Sequence, residues 1–216
     1  MVAAEGVVMV GRVLAVASSL LLAGCSVFGV RSGTEEPRHV LRAQVGAIEV
    51  RDYAPRISAE TTLSGDEEAA RNEGFQRVAG YIFGGNTAKA RIAMTAPVAQ
   101  RGERIAMTAP VARRQDAQGD WVISFFLPAA STMASLPVPN DARVRLVEVP
   151  GETIAALRFT GDRSAPAVAA QMRLLEAGLA ASAWRADGPV QAWFYDPPWT
   201  LPPLRRNEVA VRVVAR

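Results

Sequence analysis

Two stretches of this chain announce a helix in the same way. Ser64-Gly65-Asp66 follows a pair of strand-like runs at 45–53 and 56–63, and Thr160-Gly161-Asp162 follows a second pair at 143–149 and 152–160. A small hydroxyl residue, a glycine and an aspartate are the residue types that open helices. The first announces a helix over 66–83, with Phe75, Val78, Ala79 and Ile82 on one face and a stop at Gly84-Gly85-Asn86. The second announces one over 164–183, with an apolar stripe of Val168, Met172, Leu175 and Leu179. Ala54-Pro55 and Pro150-Gly151 link the strands of the two pairs, and further strands are expected at 189–195 and 207–214. Two like halves packed about a pseudo-twofold give an α+β domain: duplicated strand-strand-helix-strand units forming a curved or barrel-like antiparallel sheet with two main helices.

A second repetition is literal. The octapeptide RIAMTAPV at 91–98 returns at 104–111 across the turn-like segment 99–103. In extended form Ile92, Met94, Ala96 and Val98 share one side, as do Ile105, Met107, Ala109 and Val111. Two readings follow. In one the copies form a hairpin that buries this face, with Pro97 and Pro110 at strand ends. In the other, Met94 and Met107 line a ligand pocket, because thioethers are soft and adaptable.

The N-terminus reads as an address label. Arg12 precedes an apolar run from Val13 to Ala23 and small residues before Cys25, the pattern of an export signal. The run is shorter than the roughly 20 residues that cross a bilayer. Residues 1–8 hold Glu5 and no basic residue, so Met9 is the expected initiator. Leu22-Ala23-Gly24-Cys25 resembles the lipobox of bacterial lipoproteins, which implies that residues 1–24 are removed and that the thiol of Cys25 carries the lipid. Cys25 is the only cysteine, so no internal disulfide can form. Several acyl chains at about 0.8 kcal/mol per buried CH₂ would hold the protein at a membrane. Ser26, in place of Asp, points to the outer membrane of a bacterial cell envelope, facing the periplasm. Residues 25–38, rich in Gly, Ser and charge, read as a lipidated tether, and the domain is expected from 39 to 216.

Half of the 216 residues are hydrophobic and 21% are charged, enough apolar material for a real core. The formal net charge is +3, but the arginines are scattered among acidic residues, so no nucleic-acid partner is expected. Catalysis has little footing. The one histidine, His39, falls next to the tether and reads as an exposed linker residue, which leaves no Ser-His or Cys-His system and no cluster with metal-ligand spacing. The chain reads as a non-enzyme.

Several motifs together resemble one family. They are Glu49-Val-Arg-Asp-Tyr53, Phe83-Gly-Gly-Asn86, the two Ile-Ala-Met-Thr-Ala-Pro-Val stretches, Ser124-Phe-Phe-Leu-Pro128, Asn140-Asp-Ala-Arg-Val144 and Tyr195-Asp-Pro-Pro-Trp199 with the following Arg205-Arg-Asn-Glu-Val209. In order and spacing they are similar to the SOUL haem-binding proteins over nearly all of 40–215. The resemblance implies a groove for a tetrapyrrole between the first helix and the loop after Tyr-Asp-Pro-Pro. Phe75, Val78, Ile82, Met94, Met107 and Trp199 are then the candidate apolar surface, and Arg205 a candidate cation. Positions matching the basic residues of animal members hold Asn72, Gly80 and Thr200, so cations would come from Arg71, Arg77, Lys89, Arg91, Arg205 or Arg206. The implied function is that of a membrane-anchored envelope protein that binds haem or another flat apolar molecule. The alternative is an interaction or structural lipoprotein that keeps the fold without the ligand.

Overall fold

A computed structural model describes residues 34–87 and 103–216. The elements in chain order are β1 (His39–Val45), β2 (Ile48–Tyr53), β3 (Arg56–Leu63), α1 (Glu67–Ile82), β4 (Asn86–Thr87), β5 (Val111–Gln115), β6 (Trp121–Phe126), β7 (Val138–Pro139), β8 (Arg145–Val149), β9 (Glu152–Phe159), α2 (Ala165–Ala180), β10 (Trp184–Ala186), β11 (Gln191–Phe194), a 3₁₀ turn (Pro202–Leu204) and β12 (Asn207–Ala215). The main sheet has ten strands, in the order β1-β2-β9-β12-β11-β5-β6-β3-β8, with β10 added alongside β12; β4 and β7 form a separate short pair. Every named strand pair is antiparallel. The domain is α+β with one curved, open sheet.

The strand order shows the duplication directly. Read outward from the β11·β5 seam, where Trp193 lies opposite Ala112, one side runs β11-β12-β9-β2 and the other β5-β6-β3-β8. The closely linked strands β2 and β3, and β8 and β9, are not sheet neighbours. β2 pairs with β9, and β3 with β8, so each half lends its first strand to the other. The two-residue links between β2 and β3 and between β8 and β9 pass against each other: a Cβ built on Gly151 would lie 3.3 Å from Pro55 Cδ and 3.3 Å from the Tyr53 carbonyl oxygen. Arg56 and Glu152, just beyond the links, form an ion pair at 2.6 Å.

Both helices lie on one face. Asp66 caps α1, its Oδ1 accepting from the amides of Glu68 (2.9 Å) and Ala69 (3.0 Å). Ser164 caps α2 without a side-chain bond, because its hydroxyl is taken by Asp162 at 2.6 Å and Pro166 opens the helix. Gly65 and Gly161 both turn through positive φ, 97° and 90°, a region open to glycine at no steric cost. Beneath α1 the core holds Leu63, Val78, Tyr81, Ile82, Ile123 and Phe125; beneath α2 it holds Ile48, Val50, Val168, Leu175, Leu179 and Val209. The opposite face has its own core around Tyr53, Phe126, Ile154, Trp193 and Tyr195.

The repeated octapeptide behaves differently from the expected hairpin. Its first copy, with Met94, lies outside the described residues. The second forms no strand before Val111. Thr108 makes a lone parallel bridge to Glu35, Ala109 is buried, and Met107 is 41% exposed. Alternation fails here because this segment is held by other contacts: Ile105 donates to the Ile82 carbonyl at 2.9 Å, Ala109 donates to the Glu35 carbonyl at 2.9 Å, and the Thr108 hydroxyl donates to the Phe126 carbonyl. The further strands of the first half are β5 and β6 instead. Glu35 and Glu36, in the expected tether, are hydrogen-bonded to Ala129 and Arg206 of the domain.

Candidate functional site

The two helix N-termini face each other across the pseudo-twofold, leaving an open cleft of about 450 Å³ lined by Asp66, Glu67, Arg71, Asp162, Arg163 and Ser164, among others. That volume is in the usual range for a small-molecule site, about 300–1,000 Å³. Its acidic residues are largely engaged. Asp66 caps α1, Glu67 pairs with the buried Arg113 at 2.5 Å, and Asp162 is held by Ser164. Arg163 is different. It makes no ion pair among the described residues, and its Nη1 donates to the Asp196 carbonyl at 3.2 Å while its guanidinium lies over the Phe194 ring. Burial, with Arg205 and Arg71 nearby, pulls its pKa down to about 10 against the opposing charge of Asp196, so it stays charged at neutral pH.

The walls of the cleft continue into apolar surface. One turn along α1 from Arg71 stands Phe75, 38% exposed and packed on Phe125 with ring centroids 5.4 Å apart. Opposite, the loop between β11 and β12 is braced from inside. Arg205 donates to the carbonyls of Thr200 (2.8 Å) and Pro198 (2.9 Å), the Gly161 amide donates to Pro202 (2.9 Å), and the Arg206 amide donates to Asp196 Oδ2 (2.6 Å). This bracing leaves Trp199 outward, 62% exposed.

The candidate residues therefore separate into groups. Phe75 and Trp199 are exposed on α1 and on the β11–β12 loop, outside the lining of the cleft itself. Val78 and Ile82 are buried in the core under α1 and offer nothing to a ligand. Met107 is exposed on the segment before β5, and Met94 is outside the described residues. Arg205 stiffens the loop with its hydrogen bonds to the carbonyls of Thr200 and Pro198. Of the other cations, Arg77 is tied to Glu73, and Arg206 to Glu36 and Glu208, whereas Arg71 reaches Glu68 only at 3.5 Å. Lys89 and Arg91 are outside the described residues, as is Cys25. Asn72 and Gly80 are exposed and Thr200 is fully buried. Arg163 was not among the candidates. The signal for it was the repeated turn motif, which it follows directly, and which the pseudo-twofold carries to the cleft.

His39 is not a linker residue. It opens β1, and its ring packs on Tyr53 at 5.2 Å, on the sheet face away from the helices. Burial, followed by the charge of Arg51, lowers its pKa. Among the described residues no group of three His, Cys, Asp or Glu could hold a metal ion, and no helix is long and apolar enough to cross a membrane. A larger cavity, about 670 Å³, lies along the crossing links among Ala54, Pro55, Ile57, Leu127, Val149 and Pro150. No aromatic residue lines it, and its one buried cation, Arg56, is held by Glu152 and by the rings of Tyr53 and Phe126.

Comparison with known proteins follows this geometry. The C-terminal domain of EcmrR has a similar fold, with a TM-score of 0.53 at 10% identity, over 78% of this chain and 98% of that one. EcmrR in its complex with DNA gives 0.51 at 10% identity, over 78% and 57%. A hydrolase from Listeria innocua reaches 0.48 at 12% identity, over 85% and 94%. At such identities the likeness concerns the fold alone. No curated protein sequence matches. The family described as SOUL heme-binding protein matches residues 34–212, so the chain belongs to the SOUL haem-binding protein family.

Proposed function

We propose that this protein is a lipid-anchored protein of the bacterial cell envelope that holds haem or another tetrapyrrole and does no chemistry on it. The observation that carries the reading is the cleft between the helix starts, where Arg163, which forms no ion pair among the described residues, and Arg71 stand, with Phe75 exposed one turn along α1 and Trp199 exposed on the loop whose carbonyl Arg163 bonds. A macrocycle with two carboxylates needs an apolar plate and cations at one edge, and these residues fit both needs. They do not include an axial ligand, since His39 stacks on Tyr53 on the other face of the sheet. Affinity would rest on apolar contact and on the arginines. The anchor rests on Cys25 and the apolar run before it.

Haem titration of the full chain tests this. Trp199→Ala and Arg163→Gln should each weaken binding roughly tenfold, the size of a lost aromatic contact or charge-assisted hydrogen bond. His39→Ala should leave the Soret maximum and the Kd in place. If wild type retains no Soret band after excess haem is removed, the tetrapyrrole reading fails. The neutral Asn72, Gly80 and Thr200 would then favour an interaction lipoprotein that keeps the fold.

A further inference from the structure

The loop between β11 and β12 exposes more apolar surface than a ligand lip needs. Besides Trp199 (62% exposed), Leu201 (45%) and Leu204 (44%) face outward within six residues, separated by Pro202 and Pro203. Apolar side chains exposed singly are ordinary on a protein surface; a run of them on one stiffened loop marks a contact site. The stiffening is built in. Arg205 holds the carbonyls of Pro198 and Thr200, and the 3₁₀ turn Pro202–Leu204 is fixed to Gly161.

A second, independent observation concerns where the chain enters the domain. Arg206, the residue that closes this loop, pairs with Glu36 at 2.9 Å. Glu36 stands eleven positions after Cys25, a separation that reaches at most about 40 Å even when fully extended. The lipid site is therefore leashed to the base of the apolar loop. Arg205, beside the loop, makes no salt bridge among the described residues, though it lies within reach of the Asp162 charge, and adds a cation suited to anionic lipid headgroups. Tryptophan is the side chain most at home at a membrane interface, its ring apolar and its N–H polar.

We infer that the loop holding Trp199, Leu201 and Leu204 is a membrane-seating element, which enters the interface of the bilayer that carries the Cys25 lipid and fixes the domain against it. The inference rests on the lipid-anchored reading above. The two attachments on one leash act together: the lipid holds the protein at the surface and raises the local concentration of the loop there, and the loop orients a domain that the lipid alone would leave free to tumble.

The test uses the full chain, produced in a lipoprotein-processing bacterium and reconstituted into phosphatidylethanolamine–phosphatidylglycerol vesicles containing a brominated, fluorescence-quenching phospholipid. Wild type should show quenched tryptophan emission, and Trp199→Phe should remove the quenched component, identifying the reporter. Leu201→Ser/Leu204→Ser should cut the quenching severalfold while the protein stays with the vesicles and still takes up haem. Protein that floats with the vesicles without quenching at Trp199, or quenching unchanged in the double variant, overturns the seating element and leaves the anchor standing. Wild type that does not float with the vesicles overturns the anchor itself. If the double variant instead abolishes self-association in the absence of lipid, the loop is an interface between copies and the membrane inference falls.

Discussion

Glu208 is a fully buried carboxylate at the start of β12, on the face of the sheet away from the helices. Arg51 grips it with two bonds, 2.7 and 3.1 Å, Arg206 adds two at 2.9 and 3.2 Å, and the Tyr195 hydroxyl donates at 2.8 Å. Burial alone would raise its pKa, but the two guanidiniums and the phenol outweigh it and hold the pKa below the usual value. Burial and the Glu208 charge push the Tyr195 phenol well up in turn. Glu208→Gln keeps the shape and leaves two guanidiniums facing a neutral amide. A stability loss of about 3 kcal/mol is expected by chemical denaturation, since breaking a buried pair strands the remaining charge. The pH dependence has a definite sign. A carboxylate whose folded pKa is depressed stabilises fully above its unfolded value, near 4.5, and loses that contribution as pH falls through the folded pKa. Wild type should therefore lose more stability than Glu208→Gln as the pH falls below about 4.5; parallel curves would show that Glu208 is not held as described.

The two helices pack through glycines, and the neighbours differ in a way that sets the cost of changing them. A Cβ on Gly74 of α1 would lie 2.5 Å from Ile123 Cγ1 and 2.9 Å from its Cβ, next to the backbone of a central strand. A Cβ on Gly178 of α2 would meet Ile48 Cδ1 at 2.5 Å, the far end of a side chain that can turn aside. Alanine gains about 1 kcal/mol of helix propensity at either position. Overpacking costs about 1–3 kcal/mol where the neighbour cannot move. Gly74→Ala should thus be destabilising by about 1 kcal/mol net, and Gly178→Ala neutral or stabilising, as read from denaturation midpoints. Equal effects would mean that the two helices sit alike on the sheet. The periodicity of both helices was legible because each buries one stripe; Phe75 lies at the margin of that stripe, 38% exposed with its ring packed on Phe125.

At the scale of the molecule, the exchange of first strands between the halves makes separate unfolding costly. Freeing one half would expose the β2·β9 and β3·β8 ladders together with the β11·β5 seam. The domain should unfold as one unit. In hydrogen exchange under increasing denaturant, amides of β9 and β12 should merge with those of β3 and β6 into a single opening, while β1 and β8, the outer strands, exchange earlier. Distinct midpoints for the two sets would show two independent halves.

Read by itself, the sequence determined the duplication, the two helices with their announcing turns, and the family, because each rests on local chemistry or on a motif in register: a cap, a turn glycine, a stripe of period 3.6. It also marked the Tyr-Asp-Pro-Pro-Trp loop as a place of interest. Only the tertiary structure decided the rest. Which strands pair depends on contacts 85 to 109 residues apart, so Ala54-Pro55 and Pro150-Gly151 read as plain links and are in fact a crossing. The alternation in 104–111 promised a strand, but a long-range bridge to Glu35 takes its backbone and the Thr108 hydroxyl is tied to the Phe126 carbonyl. Val78 and Ile82 look the same in sequence whether they face a ligand or a core, since both environments reward apolar side chains. Arg163 acquires its meaning only where the pseudo-twofold brings two helix starts together, and no local signal in a chain records that meeting.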